Sequence, residues 1–286
     1  MKKTITVLFT TALMLLLCSC GVMKPVKLYG ELKTDENIID LTNPQKSGTE
    51  EYPGPEPYKT AVIDGKEYVG EFCALSPSPL YDSDANVYKC DADGGELRIY
   101  VNRKDGGFMG YDFYYESNKG EKTYEECLAC ADAAFEKLNL DGTYVHDGFM
   151  ESSDGSSDTF GNYNFHYVKT LDGIATYDFV DISVSSRTGK ITKTVYTASR
   201  ALAGVTHISY DEKSCEKMLG DYLSEFERRY LTSMHKSCDT EVMAKYFTRL
   251  CDGRYGIIYF VYYKLYSGEE APDHYFGGIR LFIELE

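Results

Sequence analysis

The segment Val180-Asp-Ile-Ser-Val-Ser-Ser-Arg-Thr-Gly-Lys-Ile191 decides how the middle of this chain folds. Apolar and polar side chains alternate from Val180 to Val184, and a period of two predicts a strand with one buried face. Thr188-Gly189 then supplies a turn, because glycine adopts positive φ at low cost. The segment therefore predicts an antiparallel hairpin.

The same hairpin pattern occurs upstream. Leu97, Ile99, Val101, Gly106 and Phe108 align without a gap on the apolar and glycine positions of the first hairpin, which predicts a second one. Asp-Gly pairs predict further turns of this kind. They stand at Asp64-Gly65, Asp141-Gly142, Asp172-Gly173 and Asp252-Gly253.

Two segments have the residue pattern of a helix N-terminus. Thr123-Tyr-Glu-Glu126 and Ser209-Tyr-Asp-Glu212 each place a Glu three residues after a hydroxyl, which is the pattern of a capping box. Apolar residues then recur at helical spacing in both segments. They are Leu128, Ala131, Phe135 and Leu138 in the first, and Cys215, Met218, Leu219, Tyr222, Phe226 and Tyr230 in the second.

The order helix, strand, turn, strand is used twice. Tyr167 to Gly173 and Tyr262 to Gly268 are similar strings, and each is followed by an alternating strand. We therefore expect an α+β fold, β-rich overall, built of tandem units with one helix packed on a small antiparallel β-sheet. The expected units are a partial β-rich repeat at 60–119, a helix-plus-sheet unit at 120–200 and a second such unit at 207–286.

Residues Thr123 to Tyr196, above all the hairpin that starts at Val180, resemble a PepSY-type domain. That family comprises small α+β units found in protease propeptides and cell-surface proteins. The resemblance implies a PepSY/cystatin-like fold, with binding or chaperoning rather than catalysis. The last 80 residues of the 286 resemble the family more weakly, because they lack the Thr-Gly hairpin.

The N-terminus has the pattern of a secretory signal. Lys2 and Lys3 precede an apolar run from Ile5 to Leu17, which is too short to span a membrane. The run Leu17-Cys-Ser-Cys20 resembles the lipobox of bacterial lipoproteins. We expect residues 1–19 to be removed and Cys20 to carry diacylglyceryl, whose two chains give stable anchoring at the extracytoplasmic face of the cell membrane. An ordinary cleaved signal is the alternative.

Residues 20–59 have the composition of a lipidated N-terminus followed by an extended linker. Pro-rich, charged segments remain extended, although the apolar residues Ile38, Ile39 and Leu41 could dock locally. The linker prolines are Pro25, Pro44, Pro53, Pro55 and Pro57.

The charge balance restricts the partners. The signal peptide contains two lysines, so its removal leaves 28 basic against 45 acidic residues, a net charge of −17. Such a surface repels nucleic acid, and the sequence therefore predicts no nucleic-acid partner.

Enzyme motifs are absent or incomplete. Cys127-Leu-Ala-Cys130 has the spacing of a redox dithiol, but Cys127 lies four residues past the cap and its acidic neighbours raise a thiol pKa. Ser233-Met-His-Lys236 matches S-x-x-K without its partner motifs, and there is no H-E-x-x-H or G-x-S-x-G. We therefore expect no enzyme. The alternatives are an envelope hydrolase with a site assembled from dispersed residues, or a propeptide-like protease inhibitor.

One acidic segment has the spacing of a calcium loop. Asp82, Asp84 and Asn86 fall at ligand positions 1, 3 and 5, and Asp93 falls at position 12. Val87 stands where the loop needs its turning glycine. Calcium is the one cofactor that the sequence suggests, with a solvated acidic turn as the alternative.

The 26 tyrosines cluster on predicted strands, as at Tyr259, Tyr262, Tyr263 and Tyr266. Because alternate strand residues face opposite sides, Tyr259 and Tyr263 share one face and Tyr262 and Tyr266 share the other. We expect one pair to form an exposed surface that binds a protein or peptide partner, since tyrosine is enriched at such interfaces. Half-buried structural tyrosines are the alternative.

We predict that Cys20→Ala leaves the protein expressed but abolishes its lipid modification and its retention in membranes, because the acceptor thiol is lost. Fatty-acid labelling and membrane fractionation measure both effects. Cys18→Ala is the matched control and should be labelled like the wild type. Normal labelling of the Cys20 variant would disprove the anchor.

Overall fold

A computed structural model describes residues 38–41, 54–76, 84–92, 94–115, 117–148, 156–196, 202, 204–230, 237–266 and 274–285. The signal sequence and Cys20 lie outside these residues. In chain order the described elements are β1 (Ile38–Asp40), β2 (Tyr58–Ile63), β3 (Lys66–Ser76), β4 (Ala85–Ala92), β5 (Gly95–Asn102), β6 (Phe108–Tyr114), α1 (Tyr124–Lys137), β7 (Thr143–Asp147), β8 (Asn162–Leu171), β9 (Ile174–Ser185), β10 (Ile191–Tyr196), α2 (Glu212–Tyr230), β11 (Ser237–Arg249), β12 (Tyr255–Tyr266) and β13 (His274–Glu284).

The chain divides into two compact units, and the larger contains the described residues of 43–210, 245–258 and 284–286. Its strands are ordered β2-β3-β4-β5-β6-β10-β9, and β8 and β7 follow on the other edge of β9. These neighbours are antiparallel. The end of β11 runs parallel to β9, with Phe247 opposite Thr176.

The predicted glycine turns are confirmed. Asp64-Gly65 joins β2 to β3 and Asp172-Gly173 joins β8 to β9, and both residues of each pair have positive φ, as a type I′ hairpin requires. The other predicted turn glycines with positive φ are Gly106, Gly142, Gly189 and Gly253.

Helix α1 begins where the sequence predicts. Thr123 Oγ1 accepts a hydrogen bond from the Glu126 N–H at 3.3 Å, and Glu126 Oε2 accepts one from the Thr123 N–H at 2.9 Å. This capping box satisfies two amide groups that have no partner within the helix. After Leu138 the chain leaves the helix at Asn139, whose φ of 47° cannot continue it.

The inner face of α1 packs on the apolar face of the sheet. Cys127 and Ala131 are fully buried there, and the ring of Phe135 stacks on Tyr167 with 4.5 Å between centroids. Removing apolar area from water in this way stabilises the fold. The buried sheet residues of this cluster are Phe165, Tyr167, Val180, Ile182 and Val184.

A second apolar cluster forms on strands β2 to β5 of the larger unit. Leu97, Ile99 and Val101 are at most 2% exposed, as their alternation predicts. Tyr68 and Tyr88 pack with them. The two predicted hairpins, β5–β6 and β9–β10, therefore each turn their alternating apolar residues into a core.

The smaller unit contains the described residues of 1–42, 211–244 and 259–283, and its strand order is β1-β13-β12-β11. Residues 38–40 pair antiparallel with β13, and the Leu41 N–H donates to the Arg280 carbonyl at 2.7 Å. Leu41 is buried, so this short stretch docks as the sequence suggested. Neither described helix is long and apolar enough to cross a membrane.

The predicted capping box of α2 is wrong. The helix begins at Glu212, and Asp211 rather than Ser209 caps it, because Asp211 Oδ1 accepts from the Ser214 N–H at 3.3 Å. Asp is as good an N-cap as Ser, and its carboxylate also suits the positive end of the helix dipole. The predicted apolar face is present. Its buried members are Cys215, Leu219, Tyr222 and Phe226.

The expected fold of tandem helix-plus-small-sheet units is wrong. The described part of the chain is mostly β, with two helices, and the strands of the larger unit pair into one mixed sheet rather than separate small ones. Pairing of β6 with β10 joins segments 60–119 and 120–200, whose described residues lie in one unit. Separate small sheets would have left edge N–H and C=O groups unpaired. Hydrophobic alternation reveals the face of a strand, but it does not reveal which edges meet.

Candidate functional site

The larger unit has a polar sheet face on the side opposite α1, which we call the outer face. On β9, Ile182 packs toward the helix, so its neighbours Asp181 and Ser183 lie on the opposite side. On β8, His166 and Asn164 lie directly across from these two residues.

One row of mainly polar residues crosses the outer face, and each member lies opposite the next in strand register. The row passes through β2, β3, β4, β5, β6, β10, β9 and β8. Neighbouring opposite charges in such a row stabilise a sheet. In order, its members are Tyr58, Glu71, Lys89, Arg98, Asp112, Lys193, Ser183 and Asn164.

Lys193, Asp181 and His166 form a connected ion chain beside this row. Lys193 Nζ lies 3.5 Å from Asp181 Oδ2, and His166 Nδ1 lies 2.6 Å from Asp181 Oδ1. Only 17% of the Asp181 side chain and 5% of the His166 side chain are exposed. Both carboxylate oxygens of Asp181 therefore have a protein partner.

The ion chain keeps its central charges. Burial alone would raise the pKa of Asp181, but the charge of Lys193 and the hydrogen bond with His166 outweigh burial and lower that pKa. Burial would likewise lower the pKa of Lys193, but Asp181 and Asp112 raise it overall. Asp181 and Lys193 are thus both ionised at neutral pH.

Asp112 behaves in the opposite way. Burial raises its pKa, and this effect exceeds the lowering by Lys193, by the Tyr114 hydroxyl that hydrogen-bonds to it and by Arg98. Arg98 Nε lies 2.8 Å from Glu96 Oε1, and its guanidinium lies over the Tyr114 ring at 4.3 Å from the centroid. One lysine thus sits between two carboxyls with opposite pKa shifts.

Aromatic rings border the histidine end of the ion chain. The His166 ring lies 4.9 Å from Phe179 and 6.1 Å from Tyr246, measured between centroids. The Tyr246 hydroxyl donates to Asp147 Oδ2 at 2.8 Å, and burial together with this bond raises the pKa of Tyr246. Tyr246 therefore remains a neutral donor.

The polar side chains at the centre of the outer face are hydrogen-bonded to one another. Ser183 Oγ donates to Asn164 Oδ1 at 2.6 Å, and its hydrogen bond is thus made to an amide rather than to His166. Asp181 already accepts from His166 and Lys193, so its oxygens are engaged. Activated nucleophiles need a base within hydrogen-bond reach. The Ser183 hydroxyl and the Asp181 carboxylate are instead engaged by neighbouring side chains within the protein.

The predicted tyrosine surface lies on β12, and the structure corrects one part of it. Tyr259 is 1% exposed and belongs to the core, so it does not form an exposed surface. Tyr263 is half-buried against Phe226 of α2, with 5.3 Å between ring centroids. Tyr262 and Tyr266 are also half-buried. A binding role for Tyr262, Tyr263 and Tyr266 stays a prediction.

The calcium candidates are only partly described, since Asp82 and Asp93 lie outside the described residues. The Asp84 carboxylate lies 3.8 Å from Arg103 Nη1. Asn86 lies within β4 rather than in a loop. Among the described residues no three His, Cys, Asp or Glu side chains are grouped to hold a metal ion. Calcium binding stays a prediction of the sequence.

Cys127 has the environment of a structural thiol. It is fully buried in α1, and burial raises the pKa of its thiol. The direction agrees with the sequence prediction, but burial rather than the acidic neighbours is the largest cause. Ser233 and Lys236 lie outside the described residues.

Sequence reasoning missed the ion chain. The alternation of β9 places Asp181 on its polar side, and the same pattern on β5 places Arg98 on the polar side of that strand. The partners of Asp181 come from β8 and β10, however, and only strand register brings His166 and Lys193 to it. No local motif in the sequence marks that register.

No protein-family model and no curated protein matches the chain. Among solved structures, the Bacillus megaterium YpeB C-terminal domain is similar with a TM-score of 0.33 and 14% sequence identity, over 89% of this chain and 92% of that one. A likeness this low carries no argument about function.

We predict that Asp181→Asn lowers the free energy of unfolding at pH 7 by about 3 kcal/mol, because it leaves Lys193 with less compensating charge in a mostly buried site. The pKa of Asp181 is lowered in the folded state. Its contribution to the free energy of unfolding is therefore fully present at a pH above the ordinary carboxyl pKa, near 3.9, and is lost as pH falls through the folded-state pKa. Urea titrations at several pH values measure this difference.

Asp112→Asn is the control, because the pH dependence of its effect on stability should have the opposite sign. In the folded wild type the pKa of the Asp112 carboxyl is raised. The wild type therefore loses stability relative to Asp112→Asn as pH rises above the ordinary carboxyl pKa. A wild-type advantage over Asp181→Asn that is equally large at neutral and acid pH would contradict the assigned role of the ion chain.

Proposed function

We propose that this protein is a non-catalytic binding module, held at the extracytoplasmic face of the cell membrane by lipid on Cys20. Its outer face contacts a protein or peptide partner. The signal pattern and the lipobox support the location. The PepSY resemblance supports binding or chaperoning.

The ion chain is the observation that carries the binding role. Lys193, Asp181 and His166 hold one another at 3.5 Å and 2.6 Å, so their side chains are already ordered before any partner arrives. Preorganised polar groups reduce the entropy that association costs. A general base would instead need a lone pair directed at a substrate, whereas both Asp181 oxygens are engaged within the protein.

The charge of the chain supports a neutral or basic partner. The net charge is −15 for the full sequence and repels acidic polymers. Association should weaken as salt rises, because salt screens attraction between exposed charges.

We predict that a photoreactive amino acid in place of Lys89 crosslinks the protein to a discrete partner in living cells. Lys89 is exposed and is a member of the outer-face row. Electrophoresis after irradiation measures the crosslinked species.

Glu136 is the matched control position, since it is also exposed but lies on α1 at the opposite side of the sheet. The proposal requires a partner band from position 89 and none from position 136. Equal crosslinking from both positions, or crosslinking only from 136, would refute the outer face as the binding surface.

A further inference from the structure

We infer that the free edge of β2 binds an extended peptide segment as an additional antiparallel strand, and that this segment carries apolar and basic side chains on one face. The inference rests on the proposed function and names its partner class. It follows from the backbone, the exposed side chains and the charges of the β2–β3 hairpin.

Strand β2 lies at the end of the strand order. It pairs with β3 along one edge, and in the described part of the chain no strand pairs with its other edge. Exposed edges present N–H and C=O groups that another chain can pair with. Recognition by strand addition uses such edges.

The register shows which backbone groups face outward. The Phe72 N–H donates to the Pro57 carbonyl at 2.9 Å, so this pair is hydrogen-bonded. Hydrogen-bonded and non-hydrogen-bonded pairs alternate along an antiparallel ladder. The backbone groups of Tyr58, Thr60 and Val62 therefore point away from β3, toward the free edge.

The side chains beside this edge are unusually apolar for an exposed strand. Tyr58 is 59% exposed and Val62 is 66% exposed, and Val69 on the neighbouring strand is 53% exposed. Exposed edges are commonly protected by charged residues. The one lysine of β2, Lys59, lies 3.7 Å from Glu56. The edge therefore combines an apolar surface with backbone groups that no described strand pairs with.

The acidic side chains around the edge favour a basic peptide. Residues 56–71 contain four acidic and two basic side chains, and Glu67 and Glu71 are exposed beside Val69. An added strand would lie about 10 Å from β3, within reach of Lys or Arg side chains that extend across β2. A second copy of this chain would instead bring a second acidic hairpin to the edge, and like charges repel.

The test uses the purified protein and synthetic peptides followed by fluorescence anisotropy. The probe is Lys-Thr-Val-Thr repeated twice, which puts Lys and Val on one strand face. The matched control replaces each Lys by Glu. We expect the Lys probe to bind at least about tenfold more tightly at low salt, because opposite charges attract and salt screens the attraction.

Two changes test the strand geometry. Thr60→Pro removes one outward N–H and no hydrogen bond to β3, which edge strands tolerate, and should weaken binding about tenfold with little change in the unfolding midpoint. Methylating the backbone nitrogens of Lys and Val in the probe should abolish binding. The Lys and Val residues of the probe lie opposite Tyr58, Thr60 and Val62 and turn their N–H groups toward β2. The N–H groups of the probe Thr residues point away from β2, so methylating them should leave binding unchanged.

Several results would overturn the inference. They are equal binding of the Lys and Glu probes, equal loss from the two methylation patterns, unchanged binding by a folded Thr60→Pro variant, and a dimer in sedimentation that Thr60→Pro dissociates. The methylated probes decide the question even if Thr60→Pro does not fold. If the crosslink from position 89 is still seen together with any of these results, the proposed binding function is retained. In that case only the inference that the partner is an extended basic peptide at the edge of β2 is wrong.

Discussion

Strand β9 pairs with β8 along one edge, and with β10 and the end of β11 along the other. This double pairing fixes the strand so that Ile182 meets α1 on one face and Asp181 meets its partners on the other. The apolar core and the polar outer face are therefore positioned by the same backbone. A shift of one residue in register would exchange the two faces.

On the outer face, Lys193 lies between two carboxyls that respond to it differently. The Lys193 charge and the bond with His166 keep Asp181 ionised, whereas burial dominates at Asp112. Ionised groups that are buried and paired are costly to rearrange. Asp181 and Lys193 therefore form a charged pair on the outer face at neutral pH.

Much of the local structure could be predicted from the sequence. The capping box at Thr123, the alternation around Ile182 and the Asp-Gly turns depend on residues close in the chain, so short patterns contain them. The merged sheet and the ion chain could not be predicted, because they depend on which strand edges meet. Ser209 is not the N-cap of α2, because Asp211 accepts the hydrogen bond from the first turn of the helix instead.

The central claim is that a partner occupies the outer face, and not the helix-covered side, in living cells. Lysine acetylation read by mass spectrometry tests it most directly, because Lys89 on the outer face and Lys137 at the end of α1 are both exposed in the free protein. Lys89 should be protected in intact cells relative to the purified protein, while Lys137 reacts equally in both. Equal reactivity of Lys89 in cells and in the purified protein would contradict the account.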